Sequence, residues 1–259
     1  MANVRVKPSE HEHSILYAET GGSCPLCKSA IMSKKPGSNK PISLYEIAHI
    51  YPLNPNNSQS TALQNYPLPQ DINSLENYIL LCPSCHTNYD KDFKIEEYLY
   101  LLNIKKGFLN EAKAKVTASQ YALQEEVNEI LDQIASDDCN YEDLSDSEFN
   151  VSSIDKKLKS SISPLLKREI RYNIIDFFVP IRNHIHILEQ KNQLSVKILQ
   201  SQIHTFYLVM QQQHPDNKDL VFKYISEWIS QRSGKSLMAS KILTSFFIQS
   251  CEVFDVSTK

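Results

Sequence analysis

The chain has 259 residues, 27 basic and 30 acidic side chains for a formal net charge of -3, and a hydrophobic fraction of 41%. That composition suits a soluble globular protein of one or two domains. It argues against a surface coated with phosphate-binding cations, and no run of about 18 apolar residues offers a membrane span. The opening residues, Met1-Ala2-Asn3-Val4-Arg5-Val6-Lys7, hold no apolar leader, so a cytoplasmic location is expected.

Residues 1 to 20 read as an irregular or partly helical lead-in. Gly21-Gly22 introduces the pair Cys24-Pro-Leu-Cys27. Lys34 to Pro41 is a loop by composition, and Ile42 to Ile50 suits one or two short strands. A longer loop opens at Asn54-Pro55-Asn56-Asn57-Ser58 and reaches toward Asp71. The second pair, Cys82-Pro-Ser-Cys85, is followed at once by His86. A helix is expected to begin at Cys82 or Pro83 and to carry His86 and Asp90. From Asp92 to Ile134 the pattern turns helical, with Tyr98, Leu101 and Leu102 at i, i+3, i+4 spacing. Between Ser136 and Asp155 lie seven acidic residues and no basic one, the best linker candidate in the chain.

Beyond Lys156 the chain reads as all-helical. Ser163-Pro164 supplies an N-cap and a proline at the first helical position. Pro180 is expected to kink or end that element. A long helix over about 194–213 follows, then one capped by Asp216 and ended by Gly234, then a last one from Ser236 to Val253.

Two CxxC pairs separated by a long gap predict one tetrahedral zinc held by Cys24, Cys27, Cys82 and Cys85. Four thiolates leave zinc no open position, so this ion is expected to staple the fold. The plain alternative is a zinc ribbon without activity. The remaining cysteines, Cys139 and Cys251, show no pattern and read as free thiols.

Other residues point to chemistry. Hydrolysis of a phosphodiester needs a base for water and a hard cation for the developing charge. Histidine suits the first task at neutral pH; imidazole and carboxylates suit the second. His49 ends a strand-like run, whereas His86 and Asp90, four apart, share one helix face opposite it.

The strings Glu46-Ile-Ala-His49-Ile50-Tyr51-Pro52 and Asn77-Tyr-Ile-Leu-Leu-Cys82-Pro-Ser-Cys85-His86 resemble an HNH endonuclease of the zinc-knuckle type, over about residues 21–94. The resemblance implies that His49 activates water and that Asn77 holds it in place through backbone hydrogen bonds. It also implies that His86 binds a catalytic Mg or Mn, with Asp90 a further ligand. Many members of that family carry a metal ligand directly before the catalytic histidine; Ala48 stands there in this chain. Glu46, on the same strand face as position 48, is the candidate replacement. The contrary expectation is a degenerate, zinc-stapled adaptor that binds DNA or protein without cutting.

The ending Ser245-Phe-Phe-Ile-Gln-Ser-Cys251-Glu-Val-Phe254 resembles the C-terminal domain of effectors in bacterial ABC-three-component systems, related to Lamassu defence modules. That likeness implies an SMC-like ABC ATPase and a small middle component as partners. Helical self-association is the plainer use of the same aromatic and aliphatic stripe. The expected fold class is α+β: a small zinc-stapled ββα-metal nuclease domain, then a mostly α-helical C-terminal domain. The expected layout is a nuclease domain over 1–95, connecting helices over 96–135, an acidic linker over 136–158 and a helical docking domain over 159–259.

Overall fold

The computed structural model describes residues 3–136, 158 and 162–250. Most of the acidic linker, together with Cys139 and Cys251, lies outside them. The chain forms two compact units, Met1–Lys113 and Ala114–Lys259.

The first unit opens with α1 (Glu10–Thr20), fixed by a capping box. Ser9 accepts from the Glu12 backbone while the Glu12 carboxylate reaches back to the Ser9 amide. Gly21 closes the helix at φ 57, a left-handed conformation that glycine adopts without a Cβ penalty. A small hairpin, β1 (Met32–Lys34) and β2 (Pro41–Ser43), follows. The Lys34–Pro41 loop is its turn. The expected loop after Asn54 contains a short helix, α2 (Asn57–Ala62), which composition did not reveal. A reciprocal Asn56–Gln59 capping box builds it from polar residues that otherwise read as loop.

Strands β3 (Glu46–His49) and β4 (Tyr78–Leu81) pair antiparallel, with Glu46 opposite Leu81, Ala48 opposite Ile79 and His49 opposite Tyr78. α3 (Pro83–Lys91) begins directly after Cys82 with proline at its first position, where a missing amide proton costs nothing. Strand, loop, strand and helix thus form the ββα order. All four residues of β4 are buried, and they join Leu16, Ile31, Ile47, Ile50, Leu63, Tyr89, Tyr98 and Leu101 in one core. Below it the Lys105 ammonium meets the Glu19 carboxylate at 2.6 Å, with side chains only 1% and 8% exposed.

The helix α4 (Ile95–Gln120) crosses the boundary between the units, and Glu96 and Glu97 complement its N-terminal dipole. In the second unit, α5 (Glu126–Ala135) buries Val127, Ile130, Leu131 and Ile134 at helical spacing. α6 (Pro164–Gln213) starts at the expected Ser163 cap. Pro180 sits inside it; the break falls instead at Asn192 (φ -154, ψ 86), whose side chain accepts from the Ser195 amide and restarts the helix. α7 (Lys218–Ser233) is capped by Asn217 and not Asp216, and Gly234 ends it as expected. α8 (Leu237–Gln249) takes Ser236 as its cap. α5, α6, α7 and α8 enclose one core, in which Phe206 stacks on Trp228 at 4.3 Å. No described helix is long and apolar enough to cross a membrane.

Candidate metal centres and active site

Four sulfurs converge first. The Sγ atoms of Cys24, Cys27, Cys82 and Cys85 all lie within 4.8 Å of one another. Two backbone devices bring them there. The first knuckle is closed by Cys24 N–H to Ser29 O at 2.8 Å and Lys28 N–H to Cys24 O at 2.9 Å, with Lys28 at φ 64. The second pair is set by the end of β4 and the first turn of α3, and the Cys82 amide points at Cys24 Sγ, 3.5 Å away. The Cys27–Cys82 sulfur separation is 3.7 Å. A tetrahedral zinc with bonds of ~2.3 Å has sulfur–sulfur edges of about 3.8 Å, whereas a disulfide needs about 2.0 Å. The donor set therefore fits zinc. The Ser29 hydroxyl and backbone pull the Cys27 thiol down to about 6, while burial and the neighbouring thiols push Cys85 up. Thiols so crowded cannot all ionise without a cation among them.

The second cluster lies across β3 and α3. The Glu46 side chain projects from the outer end of β3 to His86, with Oε2 at 2.6 Å from Nδ1. One helical turn after His86, Asp90 Oδ2 lies 3.4 Å from its Nε2. The imidazole is thus held between two carboxylates, one at each nitrogen. The carboxylates themselves are exposed, whereas His86 is mostly buried. Ala48 is fully buried and offers no ligand.

His49 ends β3, mostly buried, with its ring edge-on to Tyr78 at 4.9 Å. Burial holds it below the usual histidine range; Arg5 adds to that, and the Asn73 hydrogen bond and Asp90 oppose it. His49 is thereby kept neutral at physiological pH and able to accept a proton.

Asn77 is 4% exposed, and its side chain ties three backbone groups. Its Oδ1 accepts from the Tyr51 amide at 2.7 Å, and its Nδ2 donates to Tyr51 O at 3.0 Å and Ile72 O at 2.9 Å. The Asn77 carbonyl also accepts from Ile50 N–H at 2.8 Å, and Tyr89 of α3 donates its hydroxyl to Ile50 O at 2.7 Å. The turn that follows His49 is therefore fastened from both sides.

Three participants were absent from the sequence reading. Asn73 Oδ1 lies 3.2 Å from His49 Nε2. Arg5 Nη2 donates to the Ile47 carbonyl. The segment around Val4 and Val6 is bound to the Asn73 side chain. An asparagine two residues after Asp71, which caps its amide at 2.9 Å, carried a local turn signal but no indication of its distant partner.

This geometry defines a class: a ββα unit with a four-cysteine cluster that fits zinc, a histidine at the end of its first strand and a second histidine on its helix. The HNH endonuclease family profile matches residues 24–92, so the chain carries an HNH endonuclease domain. C-terminal domain 11 of the ABC-three component (ABC-3C) systems matches residues 114–254, and the chain belongs to that family. No curated protein matches it.

Proposed function

We propose that the protein is a metal-dependent endonuclease that hydrolyses DNA phosphodiester bonds, acting as the effector of an ABC-3C anti-phage system of the Lamassu kind in the cytoplasm. The observation that carries this reading is the buried His49 at the end of β3, which burial holds below the usual histidine range and which feels the charges of the His86–Asp90 pair, on a turn that Asn77 fastens. In this reading His49 takes the proton from the attacking water. His86 and Asp90 would hold a catalytic Mg or Mn. When bound, that cation would neutralise charge on the scissile phosphate and the leaving oxygen.

An imidazole offers one nitrogen to one ion. Glu46, tight against Nδ1, then orients His86 and makes it a better donor, leaving Nε2 for the cation beside Asp90. Glu46 would act on the metal through His86, in place of the ligand that Ala48 lacks. The four cysteines hold zinc for the fold alone.

The ABC-3C domain supports partnership with the other components of such a system, an SMC-like ABC ATPase and a small middle component. The ATPase would detect foreign DNA and release the cut. The second reading, a binding adaptor, is favoured by Ala48, which cannot ligate.

The test is plasmid cleavage with Mg or Mn by the full chain and by His49→Ala, each with and without the partner components. Cutting that is lost in His49→Ala supports the nuclease. Absence of cutting by folded, zinc-loaded protein with all components present supports the adaptor.

A further inference from the structure

The Asn73 side chain touches two things at once: the ring of His49 and the backbone of residues 4–6. Its Nδ2 donates to Val4 O at 3.1 Å, and its Oδ1 accepts from Val6 N–H at 3.3 Å. A backbone amide only donates and a carbonyl only accepts. These two contacts therefore fix which end of the Asn73 amide is oxygen. Turning the amide over would set nitrogen against Val6 N–H and oxygen against Val4 O, losing both bonds. The Tyr78 hydroxyl also lies 3.2 Å from Oδ1, with Val6 O at the same distance as its other acceptor.

His49 Nε2, at 3.2 Å from Oδ1, consequently faces an atom that can only accept. The neutral ring must carry its proton on Nε2, and its lone pair is then on Nδ1. The 4–6 segment does not rest on Asn73 alone. Asn3 N–H donates to Asn54 Oδ1 at 2.7 Å, Asn54 Nδ2 returns a bond to Asn3 O at 2.9 Å, and Arg5 is fastened to Ile47 O. The Asp71 carboxylate accepts from the backbone N–H of Asn73 at 2.9 Å and so fixes the turn that carries this side chain.

We propose that Asn73 is a positioning residue that selects the Nε2–H tautomer of His49, and that residues 3–6 lock Asn73 in the orientation that does so. The inference rests on His49 being the base of the proposed reaction, and extends that reading to the nitrogen used: water would be activated at Nδ1. The Asn77 contacts fix where the turn after His49 lies; the Asn73 contacts fix which way the ring faces and where its proton sits. The docked segment thus belongs to the base, and its release would free the amide to turn and the ring to rotate.

The experiment is imidazole ¹⁵N and ¹H NMR of the full chain at pH 8, on wild type, Asn73→Leu and Asn73→Asp, followed by cleavage kinetics. Wild type is expected to show the His49 proton on Nε2, protected from exchange. Asn73→Leu is expected to lose that protection and about tenfold in kcat, with KM for DNA unchanged. Asn73→Asp keeps an acceptor; it should retain the protected proton and move the acid limb of the pH–rate profile up by about one unit. A wild-type proton on Nδ1, or full protection persisting in folded Asn73→Leu, would overturn the proposal. The NMR arm needs no substrate. A chain with the predicted tautomer and no cleavage even with Mg or Mn and all partner components present would therefore refute the nuclease reading while supporting the Asn73 assignment.

Discussion

Replacing Asn77 separates geometry from chemistry. Asn77→Ala removes three hydrogen bonds, at 2.7, 3.0 and 2.9 Å, from half-buried backbone groups around a buried side chain. At ~1 kcal/mol each, the loss is about 3 kcal/mol. For a unit of this size that lowers the melting temperature by roughly 10–20 °C. The comparison with Asn77→Asp is sharper. Aspartate keeps the acceptor for Tyr51 N–H but turns its second oxygen toward the carbonyls of Tyr51 and Ile72, where no proton is available. A carboxylate in that place is expected to be worse than the empty space of alanine, although it is the closer isostere. Calorimetry of the full chain reads the stability, and cleavage of plasmid DNA reads the displacement of His49; a shift of about 1 Å would cost on the order of a hundredfold in rate. An Asn77→Asp protein as stable as wild type would refute the assignment of Nδ2 as a double donor to carbonyls.

The structural metal is expected at one zinc per chain by atomic absorption, and Cys82→Ser should lose both the ion and the melting transition of the first unit; retention of that transition without zinc would count against the staple. Burial places the His49 titration below the usual histidine range. Because the base must be unprotonated, cleavage should rise with pH through a limb below ~6.5 and be flat above it; a wild-type limb centred above that value would contradict a desolvated base. Glu19→Gln strands the buried Lys105 ammonium and should cost about 3–5 kcal/mol, whereas the double change Glu19→Leu with Lys105→Met should recover most of it. Equal unfolding free energies for single and double variants in denaturant titration would show that the pair does not interact as drawn.

The parts of the site that were legible in the sequence are those whose chemistry forces a spacing. Thiolates that share one ion must come in pairs from tight turns. His86 and Asp90 must be one helical turn apart to face one way. The unseen parts depend on tertiary contact alone. Asn73 meets His49 across 24 residues, and Arg5 meets Ile47 across 42. Neither position is marked by periodicity or motif. Pro180 shows a different limit. Its missing amide proton predicted a break, yet the break went to Asn192, where a side chain was able to cap the restarted helix. Local chemistry named a weak point, and the capping partner decided where the helix yielded.

The stretch from Asn77 to Asp90 works as a ruler. It carries in order the turn fastener, the strand partner of His49, both cysteines of the second knuckle, and the His86–Asp90 face, with no residue to spare between strand and helix. A single inserted residue would rotate every later side chain by about 100° on α3 or reverse the face of β4. Zinc binding, strand pairing and the catalytic face would fail together. The short stretch over 67–70, just before the Asp71 turn, contributes no candidate ligand, no base and no buried side chain. Length variation among natural relatives, and any peptide tag placed inside this unit, should therefore collect there and be absent from 77–90.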